Sequence, residues 1–113
     1  MKYTVSIKNN FEFRRVYGKG KSSATSRMVV YYRPNKLEKN RLGLTVSTKI
    51  GKAVHRNKIR RRFKEIYRIN EEKLVKGYDL VIVARHKARY SEYFELERDF
   101  MYLVGKLGLL GDK

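Results

Sequence analysis

Ile59, Phe63 and Ile66 recur at the three- and four-residue spacing that turns one face of a helix apolar. At about 100° per residue they fall within an arc of about 60°, flanked by Tyr67 and Leu74. The spacing predicts a helix from about His55 to Leu74 that docks on a core, ended by Gly77. Upstream, Phe13, Val16 and Tyr17 stand at i, i+3 and i+4 and predict a shorter helix. Asn9 or Asn10 can cap it, Glu12 suits its first turn, and Gly18 with Gly20 stops it. Before it runs a short polar arm.

From Ser22 the period changes to two. Arg27, Val29, Tyr31 and Arg33 alternate with Met28, Val30 and Tyr32, and Pro34-Asn35 begins a turn. In Arg41–Thr48 the apolar Leu42, Leu44 and Val46 alternate with Gly43, Thr45 and Ser47. Paired as a hairpin, these two strands would show one apolar face and one shallow groove where Arg27, Tyr31 and Arg33 stand beside small residues. Leu80-Val81-Ile82-Val83 is continuous, so the strand Tyr78–Arg85 should be covered on both faces, mid-sheet, and parallel to its predecessor after the helical crossover. Ser91 caps a last helix with Glu92 and Glu95 in its first turn and Phe94, Phe100, Met101, Val104 and Leu107 on its apolar side. The tail Gly108–Lys113 should fray. The order of elements reads as a single α+β domain over residues 1–113, one layer of helices on one sheet.

Charge changes the picture. Lys49–Arg68 holds nine Lys or Arg and a single acid, Glu65. On the helical wheel Asn57, Arg60, Arg61, Lys64 and Arg68 share an arc of about 100° beside the apolar one. A solvated basic face is the usual reading of a charge run. Here like charges cluster without counter-ions, a self-repulsion that interspersed Glu would relieve, so an anionic partner is the better reading. The whole chain carries 28 Lys and Arg against 11 acids, net +17, far beyond what solubility requires. Nucleic acid is therefore the leading partner.

Other chemistries fit poorly. No apolar run of about 18 residues exists and the N-terminus lacks a signal-peptide core, so no membrane role is expected and the chain reads as cytoplasmic. Zero Cys removes thiol ligands and thiol nucleophiles. Gly20-Lys21-Ser22 mimics the end of a phosphate-binding loop, but the loop's first Gly falls on Arg15 and the segment follows a helix where that motif needs a strand. His55 and His86 are the two histidines, and no spacing of acids gathers a metal ion, so neither a catalytic residue nor a metal ligand is assigned.

Val54-His55-Arg56-Asn57-Lys58-Ile59-Arg60-Arg61, preceded by Leu44–Ala53 and, further upstream, by Phe13-Arg14-Arg15-Val16-Tyr17-Gly18-Lys19-Gly20, resembles the protein subunit of bacterial ribonuclease P over nearly the whole chain. Lys58, Lys64, Thr48 and Lys52 depart from that family's usual residues. Most departures keep charge, though Lys cannot make a planar bidentate contact. The resemblance implies a four-stranded mixed sheet with a short first strand, three helices and a left-handed βαβ crossover (ribosomal protein S5 domain 2-like). It further implies a ribonucleoprotein whose RNA subunit is the catalyst and removes the 5′ leader of precursor tRNA. Its Mg²⁺ would be held mainly by the RNA, and no obligate protein partner is implied. Lys49, Lys52, Arg56, Asn57, Lys58, Arg60, Arg61, Lys64 and Arg68 then become RNA-binding candidates, and Phe13, Tyr17, Tyr31, Arg27 and Arg33 a cleft for the single-stranded leader. Aromatic stacking suits this use because every base has a π-face. Phe11 lies about 200° from Phe13 on the wheel and is a weaker candidate. A ribosomal or chaperone-like RNA-binding protein and an independent endonuclease are the alternatives.

Overall fold

The structure, a computed structural model, describes residues 1–111. Five strands, β1 (Thr4–Ser6), β2 (Lys21–Ala24), β3 (Met28–Pro34), β4 (Asn40–Thr45) and β5 (Tyr78–Ala84), form one mixed sheet. Its spatial order is β1-β4-β5-β3-β2. Three α-helices, α1 (Asn10–Lys19), α2 (Ala53–Asn70) and α3 (Tyr93–Lys106), complete the α+β domain, with 3₁₀ turns at Thr48–Ile50, Glu71–Lys73 and His86–Tyr90.

β5 lies mid-sheet, as its unbroken apolar run requires. It pairs parallel with β4 and antiparallel with β3. Leu80 and Ile82 face a large core with Ile59, Phe63, Ile66 and Tyr67 of α2 and Leu96, Phe100, Leu103 and Val104 of α3. Val81 faces the other way, into a small cluster with Ile7 and Val16, against which Phe13, Tyr17, Tyr31 and Val83 pack. The helices therefore cover both faces of the sheet, α1 alone on one side, and the expected single helical layer is wrong. The reason is legible in β5 itself: a strand apolar on both faces needs something on each.

Two further expectations fail on pairing. The sheet has five strands, not four, because Lys21–Ala24 adds an edge strand to β3. Lys-Ser-Ser-Ala has little strand propensity; the tight turn at Thr25 recruits it, where Thr25 N–H donates to the Met28 carbonyl at 2.9 Å and the Thr25 hydroxyl accepts from Arg27 N–H at 3.2 Å. β3 and β4 are also not a hairpin. β5 sits between them, so sequence adjacency misidentifies the partner.

Helix ends differ locally. Asn9 caps α1, its Oδ1 accepting from Glu12 N–H at 2.9 Å. α2 stops at Asn70, earlier than Leu74, as the Asn70 amide donates to the Ile66 carbonyl at 2.9 Å and the chain tightens into a 3₁₀ turn. Gly77, at φ 95°, makes the turn into β5 that other residues resist. Glu92, not Ser91, caps α3, in a capping box with Glu95. The Ser91 hydroxyl is taken, donating to the Lys87 carbonyl and accepting from Arg27. Phe94 is 63% exposed, and Leu96 and Leu103 take its place in the core. Nor does the tail fray over Gly108–Gly111: Leu109 is buried, and Gly111 N–H donates to the Lys73 carbonyl at 2.8 Å. Asp112 and Lys113 lie outside the described residues.

Candidate nucleic-acid interface

β1 pairs with β4 only at Asn40–Leu42, and its last ladder bond runs from Ile7 N–H to the Leu42 carbonyl. The outer edge of Gly43–Thr45 is left uncovered on that side. Beside it α1 lays its aromatic stripe over the sheet, and a groove of about 570 Å³ opens between them. Asn10, Phe13, Arg14 and Tyr17 form one wall, Thr45 and Val46 the other, and Arg60 of α2 stands at the mouth. A smaller hollow of about 210 Å³ shares Phe13 and continues along the edge to Ser6 and Lys64.

The aromatics are fixed, not loose. Gly43 admits the Phe13 ring: a Cβ there would lie 2.5 Å from ring carbon Cε1. The Tyr17 hydroxyl shares a hydrogen bond with the Thr45 hydroxyl at 2.7 Å. Tyr31 packs edge-on against Tyr17, centroids 4.9 Å apart at 72°. Phe13 and Tyr17 centroids are 6.4 Å apart. Phe13 and Tyr17 therefore line the groove half-exposed, while Tyr31 buttresses Tyr17 from beneath.

α1 is clamped to the sheet by charge. Arg41 Nε donates to Asp79 Oδ1 at 2.8 Å and its Nη2 to Oδ2 at 2.7 Å, while Nη1 reaches Glu12 of α1. Asp79 is 1% exposed, and its hydrogen bond pushes the Arg41 guanidinium pKa up. These two carboxylates are thereby consumed. Among the described residues no three His, Asp or Glu gather where they could hold a metal ion.

The basic helix divides by role. Ile59, Phe63, Ile66 and Tyr67 are buried, as the apolar arc predicts. Arg60 is held at the groove, Nη1 donating to Asn57 Oδ1 at 3.0 Å and Nη2 to the Val46 carbonyl at 3.5 Å. Lys52, Asn57, Lys58, Arg61 and Lys64 are exposed, as is Lys49 in the preceding turn. Arg56 is partly buried and its Nε lacks a hydrogen-bond partner. Arg68 is spent on its own helix, donating from Nε to Glu65 Oε1 at 2.6 Å, which holds the Glu65 carboxyl below its usual range. α2 opens with Lys52 as N-cap, no side-chain cap bond and no acid in its first turn, so the positive end of its dipole adds to the lysines.

Two predicted cleft residues are elsewhere. Arg27 turns to α3, on the face opposite α1, its Nη2 2.6 Å from Glu95 Oε2 and its Nε 2.9 Å from Ser91 Oγ. It precedes β3, and strand alternation does not extend into the turn that redirects it. Arg33 shares the face of Tyr31 but does not line the groove, lying at the far end of β3 opposite Asp79. Conversely, Arg14, Asn10 and Thr45 line the groove without having been singled out. Arg14 had a signal in Phe13–Gly20. Arg89, donating to the Ile50 carbonyl at 3.2 Å beside Gly51, had none, because only the fold brings it to the head of α2.

Comparison with known proteins agrees along the chain. A family model described as Ribonuclease P matches residues 1–108. The Ribonuclease P protein component of Natranaerobius thermophilus is 39% identical over 110 residues, covering 97% of this chain and 96% of that one. That of Clostridium kluyveri is 44% identical over 105 residues, covering 91% and 94%. Among solved structures, the Staphylococcus aureus RNase P protein superposes with a TM-score of 0.87 at 32% identity, covering 94% of this chain and 97% of that one. The Thermotoga maritima RNase P protein gives 0.80 at 30% identity, covering 86% and 92%.

Proposed function

This chain belongs to the ribonuclease P protein family, and on that premise we propose that it is the RNA-binding subunit, a single domain, of a cytoplasmic endoribonuclease that matures tRNA 5′ ends. Its partners are the ribonuclease P RNA and precursor tRNA, and the chemical step belongs to the RNA. The observation that carries this reading is the meeting of Phe13 and Tyr17 with Arg60 in one groove on the open edge of β4. The rings offer π-faces to unpaired bases of any sequence, and the guanidinium at the mouth meets the backbone phosphates. A mature tRNA has no leader to place there, so the groove separates precursor from product.

Exposed cations away from the groove, Lys49, Lys52, Lys58 and Arg61, together with the uncapped head of α2, are assigned to phosphates of the RNA subunit. Among the described residues no cluster of carboxylates fits Mg²⁺, and Glu12 and Asp79 are held by Arg41, so the ions are assigned to RNA. The left-handed sense of the β4–α2–β5 crossover is carried over from the family with the fold.

The test is reconstitution. Protein plus its ribonuclease P RNA should cut precursor tRNA at the leader junction, and protein alone should not cut at all. Log affinity should fall linearly with log salt, and Arg61→Ala should lower the slope by about one contact. Cleavage by pure protein would favour an independent nuclease. Equal affinity for precursor and mature tRNA would favour a general RNA binder.

A further inference from the structure

On the outer side of α1, away from the sheet, Phe11, Arg14, Arg15 and Gly18 fall at i, i+3, i+4 and i+7, one face of the helix. With Lys19 they line a second hollow of about 610 Å³. Phe11 is 59% exposed, and the Arg15 guanidinium lies over its ring, 4.6 Å from the centroid. Gly18 leaves the floor open; a Cβ there would meet nothing within 4 Å. Among the described residues no carboxylate lines the hollow, and the one acid of α1, Glu12, is turned to Asn9 and Arg41. Arg14 lines both this hollow and the groove.

We propose that the outer face of α1 is a second nucleotide subsite for single-stranded RNA, in which a base stacks on Phe11 and Arg14 carries the backbone over from the groove. The inference rests on the groove holding the leader. Three cations with an exposed aromatic suit a polyanion that carries planar bases, and they repel a basic peptide. An Arg packed on a ring leaves the opposite π-face free, and its charge makes that face a better platform for a base flanked by phosphate. The shared Arg14 gives the strand one continuous cationic path, so the subsite is reached only by a leader long enough to cross α1.

The experiment uses reconstituted holoenzyme and a series of precursor tRNAs whose leaders are shortened one nucleotide at a time. Phe11→Ala should lower affinity for long-leader precursor on the order of tenfold and leave the shortest leaders and mature tRNA unchanged. Gly18→Glu should do the same by placing a carboxylate on the floor. It should not unfold the protein, because Glu is a better helix former than Gly and has open space. Gly18→Lys should tighten long leaders. The reading is overturned if neither Phe11→Ala nor Gly18→Glu changes long-leader affinity, in which case Phe11 and Arg15 are only an intrahelical pair. A loss equal for all substrates would also overturn it, pointing to the RNA subunit or a protein on this face. Tyr17→Ala distinguishes the two levels: its loss should appear at shorter leaders. Loss in Tyr17→Ala without loss at Phe11 refutes this subsite and leaves the groove standing.

Discussion

The hydroxyls of Tyr17 and Thr45 stand 2.7 Å apart, tying the third turn of the first helix to the end of β4, past the stretch that β1 covers. That bond fixes a half-buried ring that lines the groove and packs T-shaped against Tyr31. Tyr17→Phe should therefore separate orientation from stacking. It removes one hydrogen bond, worth about 0.5–1.5 kcal/mol of stability, and keeps the ring. Thermal melts should register the loss, with preference for precursor over mature tRNA retained. Tyr17→Ala should abolish that preference in part, by about 1–3 kcal/mol.

Arg41 predicts a larger effect. Its guanidinium neutralises Asp79, which is almost wholly buried, and reaches Glu12 across the interface with α1. Arg41→Ala leaves the Asp79 charge buried without its partner and should cost about 3–5 kcal/mol in denaturant unfolding. Arg41→Ala combined with Asp79→Asn should recover part of that loss, because the residual penalty belongs to the orphaned carboxylate.

Glu71 makes a pH prediction. The carboxylate accepts from Lys2 N–H at 2.8 Å and Tyr3 N–H at 3.1 Å, fastening the first strand to the end of α2. Burial pushes its pKa up, but the hydrogen bonds from Thr4, Lys2 and Tyr3 outweigh burial and hold it below the ordinary carboxylate range. A group depressed on folding stabilises the protein above its unfolded pKa, about 4.3, and loses that contribution as pH falls through the lower folded value. Glu71→Gln keeps one acceptor oxygen and should cost about 1–3 kcal/mol near neutral pH. The gap between wild type and variant, read from urea midpoints, should be constant above about pH 5 and shrink below about pH 4.

Local signals in the sequence located most elements. Period-3.6 spacing found Ile59, Phe63 and Ile66, and the unbroken Leu80–Val83 placed β5 in the sheet centre with its parallel neighbour. Phe13 and Tyr17 came together with Arg60 as one site only in three dimensions, since 42 residues of chain lie between Tyr17 and Arg60. What local patterning missed depends on long-range partners. β2 is a strand because β3 is there to pair with it, and Arg27 leaves the cleft because Glu95 and Asp99 wait on α3. Gly43 read as a small residue on a strand; its use, admitting the Phe13 ring, needed the approach of α1.

Leader binding in the α1 groove, at a place that mature tRNA leaves empty, is what separates precursor from product. It is tested most directly by the ratio of precursor to mature tRNA affinity in holoenzyme reconstituted with Phe13→Ala, alongside a melt of the same variant. The ring is half-exposed, so the variant should remain folded. Precursor binding should weaken by about 1–3 kcal/mol while mature tRNA binds as to wild type. A folded Phe13→Ala holoenzyme with an unchanged ratio would mean that the leader does not bind in the groove.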